Sequence, residues 1–211
     1  MPLVAGVVAG PLLVTVTLIG GATRRGYSVL RHDVSSLALG ELGWIHSLAF
    51  VITGLLTLAF AVGGLRPAFE SDTACGPWLV SGWAVGLVVI GLFVTDPTTG
   101  YPSEIPAEAV VRTVGGAVHD VAAAVTFIAL TAALVVFTRV FARHGRRVWA
   151  GYTALSAFVV VFASIVASYG SQRTGGMGEL DGLFQRIAGA SGLAWLTVVA
   201  VALLLRSASW R

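Results

Sequence analysis

Lysine is absent from this 211-residue chain, and all 13 basic side chains are arginine, a bias that a GC-rich coding sequence explains. Cysteine occurs once, at Cys75, which excludes an internal disulfide and any multi-cysteine metal or iron–sulfur centre. Charge of either sign is scarce. Charged residues make up 11%, against roughly 25% in a soluble domain, too few to coat a water-facing surface. Apolar residues are abundant instead, at 56% with a mean hydropathy of +0.89. This is the composition of an integral membrane protein. The net charge of +3 does not indicate nucleic acid, because the arginines are scattered over loops and form no groove-reading motif.

Crossing a bilayer takes about 20 apolar residues in a helix. Six runs qualify: Leu3–Ala22, Trp44–Leu65, Trp78–Thr95, Gly116–Phe137, Val148–Tyr169 and Leu183–Leu205. They lack the two-residue alternation of a membrane barrel, and lipid demands that backbone groups pair within each segment. The expectation is a single all-α domain over residues 1–211, a six-transmembrane-helix bundle. The first run has no basic stretch before it and no small-residue cleavage site, so it reads as a span rather than a signal peptide. Arginine counts in the loops are nearly balanced. Arg66, Arg139, Arg143, Arg146, Arg147, Arg206 and Arg211 lie on one side; Arg24, Arg25, Arg31, Arg112, Arg173 and Arg186 lie on the other. The short loop containing Arg139–Arg147 decides the orientation, with both termini cytoplasmic. The cluster itself reads as a topology signal, with anionic-lipid binding as the lesser reading.

The ionisable groups are asymmetric. Asp33, Glu41, Asp96, Glu104, Glu108, Asp120, Glu179 and Asp181, with His32, His46 and His119, fall on the side opposite the cluster. Function concentrates where long loops meet such groups. In the first loop, Tyr27 and Trp44 suit an interfacial aromatic belt. Ser35 and Ser36 read as caps of a short helix, and Arg31 with Asp33 as a solvated pair. Pro97 stops the third helix and leaves Asp96 at the membrane boundary, where desolvation would raise a carboxyl pKa. His119 and Asp120 open the fourth helix, a costly depth for an ionisable pair. Arg186 lies one turn inside the sixth run, and Asp120 or Asp96 is its expected partner; Gln185 stands beside it as donor and acceptor. Between the third and fourth helices, Glu104–Val114 has the pattern of an amphipathic interfacial segment. His46 reads as a satisfied interfacial residue.

The segments GYSVLRHDVSSLALGELGW, GLFVTDPTTGYP, GAVHD and GLFQR, in this order, together resemble the bacterial membrane-protein family called domain of unknown function 998. The resemblance spans the chain. It implies a six-span architecture and a shared set of positions: Arg31, Ser35, Ser36, Asp96, Tyr101, His119, Asp120, Gln185 and Arg186. His46 departs from it, standing where the family tends to carry an amide. No activity comes with the resemblance.

The leading expectation is a membrane-embedded protein of the bacterial plasma membrane that binds or transforms a lipid-like or isoprenoid molecule. Proton-initiated cyclisation is one example. Asp96, His119 and Asp120 would be the acid/base groups around one pocket; Arg31, Ser35, Ser36, Tyr101, Gln185 and Arg186 would bind substrate. The partners are then membrane lipids and that small molecule. A non-enzymatic scaffold, assembly partner or lipid sensor is the alternative. A transporter ranks third, because no internal repeat or polar midplane is present. No cofactor is expected: a metal set of Asp96, His119 and Asp120 has poor spacing, and haem between His46 and His119 would sit at the surface.

Overall fold

The computed structural model of the chain describes residues 1–97, 101–102, 111–170 and 179–208. Six long helices make up the fold: α1 Pro2–Thr23, α2 Gly43–Phe69, α3 Cys75–Leu92, α4 Val114–Arg143, α5 Arg147–Gly170 and α6 Asp181–Ala208. Each is long and apolar enough to cross a membrane. No β-strand occurs among the described residues. The chain is a multi-pass helical protein of membrane type.

Each helix packs on its neighbour in the chain, and α6 returns to pack on α1, so the six close into a ring. Small residues set the close approaches, as expected where lipid removes the hydrophobic drive between helices. At Gly86 on α3, an added Cβ would overlap the Thr126 side chain of α4. Near its end α2 widens. The Arg66 N–H donates to the carbonyl of Ala61, five residues back, within a π segment at Ala61–Leu65. Pro67 follows at once. It has no N–H to give, and its ring would crowd the carbonyl of Gly63; the wider turn accommodates it.

The two halves of the ring are filled differently. Toward the Arg139–Arg147 end the interior is solid. Trp195, Phe137 and Phe60 are fully buried, and Phe69 and Phe141 pack edge-on to one another. The Trp195 indole N–H donates to the Thr153 hydroxyl at 3.1 Å, which removes the cost of burying it. Toward the other end the filling is incomplete, and Phe50, Trp83 and Phe127 line a space instead of closing it. There the loop between α1 and α2 folds over the ring as a lid, with a short 3-10 turn at Val34–Ala38.

The expected spans match the helices with shifts at their ends. The third stops at Leu92 rather than Thr95, because Phe93 turns to extended backbone. The fourth runs six residues past Phe137, to Arg143. A count of apolar residues ends at Arg139, whereas backbone pairing carries the helix onward.

A candidate amphiphile cavity beneath a latched lid

A cavity of about 180 Å³ lies inside the lid half of the ring. Its walls are apolar, among them Leu13 of α1, Trp83 and Leu87 of α3, Leu130 of α4 and Leu193 of α6. Its polar groups are few: Thr17 of α1, Ser35 of the lid, His119 and Thr126 of α4, and Gln185 and Arg186 of α6. No carboxylate lines it among the described residues.

The start of α6 holds the lid. A helix N-terminus leaves its first N–H groups without partners; here the N–H of Leu183 donates to the Leu30 carbonyl at 2.9 Å, and that of Gly182 to the Arg31 carbonyl at 3.3 Å. Any Cβ at Gly182 would strike the His32 carbonyl, so the approach requires glycine. The Gln185 Oε1 accepts from the Val34 N–H at 2.6 Å. Arg186 completes the latch. Its Nη1 donates to the carbonyls of His32 at 2.9 Å and Gly182 at 2.7 Å, and its Nη2 to the Tyr27 hydroxyl. That hydroxyl donates onward to the Asp33 carbonyl at 2.9 Å. On the far side of the lid, Arg24 Nη1 donates to the Leu39 carbonyl at 2.9 Å. Tyr27, His32 and Tyr101 pack ring against ring, with centroids 5.2–5.4 Å apart.

The electrostatics follow from burial. Tyr27 is pushed up to about 12, chiefly by burial, against the pull of Arg186. His32 is lowered by burial and by the charges of Arg31 and Arg186. Burial raises Asp33, while Arg186 and His119 oppose the rise. His119 is buried, and its Nδ1 lies 2.6 Å from the Phe93 carbonyl. A carbonyl only accepts, so this nitrogen carries the proton. In the neutral ring that leaves Nε2 as the acceptor.

Several expectations need correction. Arg186 does not pair with Asp96 or Asp120; its donors go to lid carbonyls and Tyr27. Asp96 does not have a raised pKa. The hydroxyl and N–H of Thr113 donate to its carboxylate at 2.6 and 2.8 Å and hold it below the usual range. Thr113 in turn caps α4, its hydroxyl accepting from the Gly116 N–H. Asp96 thus anchors the helix start. Asp120 is exposed and faces Arg112 at 3.8 Å. Of the three expected acid/base residues, only His119 lines the cavity. Arg31 pairs with Glu179 at 2.5 Å rather than with Asp33. Ser35 and Ser36 sit within the 3-10 turn and do not cap it; Ser35 lines the cavity, and the Ser36 hydroxyl is buried without a partner among the described residues. His46 is buried against Phe50, and neither ring nitrogen has a partner among the described residues. The amphipathic reading of Glu104–Val114 falls mostly outside the described residues.

Tyr27 is the latch residue that the sequence reading missed outright. Placed in the aromatic belt by its type, it is instead the buried acceptor for Arg186. The one signal for it was its place in the GYSVLRHD segment. Among the described residues, no three of His, Cys, Asp and Glu come together as ligands for a metal ion.

No curated protein and no solved structure matches the chain. The family described as protein of unknown function (DUF998) matches residues 7–202, nearly the whole length, and the chain belongs to that family.

Proposed function

We propose that the protein binds a lipid-like or isoprenoid amphiphile, with its apolar part in the cavity and its polar head at Ser35, His119, Gln185 and Arg186. The observation that carries this reading is an apolar-walled void of about 180 Å³ capped by polar groups under a closed lid. An apolar cavity of about 150 Å³ takes up benzene, so this one holds a ring or a short run of carbons. A longer tail extends between the helices into the bilayer. His119 is the acid/base group for any transformation of the bound molecule, since its Nε2 remains for a ligand while Nδ1 is held by Phe93. Asp96 and Asp120 stand outside the cavity and take supporting roles. On this reading the protein resides in the bacterial plasma membrane with both termini in the cytoplasm, an orientation that the exposed Arg139, Arg143, Arg146 and Arg147 support.

A second reading, a non-enzymatic scaffold, is favoured by one observation: Arg186 and Gln185 already spend hydrogen bonds on the lid. Mass spectrometry of organic extracts from the purified protein separates the two. An amphiphile retained at near one per chain supports binding; a chain that retains none above the level of bulk lipid supports the scaffold.

A further inference from the structure

We propose that the cavity selects an amphiphile whose head is an oxyanion, a carboxylate or a phosphate monoester, on a single chain. The inference rests on the binding reading above and adds the chemistry of the head. Arg186 carries a charge that no carboxylate contacts within ion-pair distance among the described residues, where the ion pairs are Arg31–Glu179, Arg112–Asp120 and His144–Asp72. Asp33 is near enough to feel Arg186 but does not line the cavity.

The three acceptors of Arg186 are two carbonyls and a hydroxyl, all neutral. The guanidinium has five N–H groups, and the one on Nε is buried with no partner among the described residues. A cation beneath the membrane surface with a donor left over is costly. An oxyanion in the cavity supplies the missing counter-charge, and guanidinium favours carboxylate and phosphate geometry. The neighbouring groups agree: Ser35 and Gln185 can donate, and His119 can donate from Nε2 when protonated. A cationic head would meet Arg186 with no carboxylate to offset it. The size agrees as well, because about 180 Å³ has room inside the ring for one chain segment.

The test uses the full chain in nanodiscs of zwitterionic phosphatidylcholine and four eight-carbon probes: octanoate, octyl phosphate, octanol and octyltrimethylammonium. Thermal unfolding is read at equal probe concentrations. Octanoate or octyl phosphate is expected to raise the midpoint by at least twice as much as octanol, and octyltrimethylammonium not at all. Which anion acts tells carboxylate from phosphate. Octanol acting as well as either anion would overturn the oxyanion head and leave the binding reading standing. No shift with any probe would overturn both. Arg186→Gln should weaken the effective anion by about tenfold or more, the loss of a charge-assisted hydrogen bond, and should weaken octanol by a clearly smaller factor. Arg186→Lys should restore part of the anion affinity. The comparison among probes on the wild-type chain tests the inference independently of either variant.

Discussion

Gly189 on α6 lines the cavity, and a Cβ built there meets no atom within 4 Å. Gly189→Leu therefore grows a side chain into empty space. At about 24 cal/mol for each Å³ of enclosed void, a cavity of about 180 Å³ costs at most about 4 kcal/mol. A leucine that fills roughly half of it recovers up to about 2 kcal/mol, and replacing glycine inside a helix adds up to about 1 kcal/mol. Gly151 on α5 is the control. It is exposed and also has no neighbour for an added Cβ, so Gly151→Leu reports the helix effect alone. The assay is thermal unfolding of delipidated protein, with mass spectrometry of lipid extracts from protein that was not delipidated. Gly189→Leu should unfold at a higher temperature than both wild type and Gly151→Leu, and should lose the retained amphiphile. A Gly189→Leu protein that unfolds earlier than wild type, or keeps its amphiphile at wild-type stoichiometry, would refute the reasoning.

Three further outcomes are expected. Arg186→Ala strips the lid of donors to the His32 carbonyl and the Tyr27 hydroxyl; at about 1.5–3 kcal/mol for a hydrogen bond to a charged group, it should lower the unfolding midpoint far more than Arg139→Ala, and equal effects would show that Arg186 does not latch the lid. Asp96 is held below its ordinary pKa by Thr113, so its contribution is present above the unfolded value of about 4 and is lost as pH falls through the lower folded value. The stability gap between wild type and Asp96→Asn should accordingly be open at pH 6 and close as pH drops below 4; a gap that widens on acidification contradicts the sign. Cys75 is exposed at the start of α3, so a membrane-impermeant thiol reagent on intact cells should leave it unlabelled, and clear labelling would reverse the orientation.

Much of the fold was legible because each span is an unbroken apolar run, and lipid offers such a run no alternative to helix. The side of the bundle that bears the polar face was legible too, since Ser35, His119, Gln185 and Arg186 all meet there. Their partners were not. His119 and Asp120 are adjacent, but neighbours on a helix point about 100° apart, so one faces the cavity and the other the outside. Arg186 was expected to seek a carboxylate; its donors went to lid carbonyls, whose positions depend on how residues 24–42 fold over the ring. Backbone acceptors leave no mark in residue types. Thr113 was overlooked for another reason: the apolar run was read from Gly116, whereas the helix starts at Val114 and Thr113 caps it locally.

The most direct measurement of the central claim is photocrosslinking with octanoate or octyl phosphate, whichever the thermal series selects, carrying a diazirine at the end of the chain. Crosslinked residues are mapped by mass spectrometry. Adducts should concentrate on Leu87, Leu130 and Leu193, which line the cavity, and should be lost in Gly189→Leu. Adducts confined to exposed lipid-facing residues such as Leu48, Leu55 and Phe158 would contradict the account.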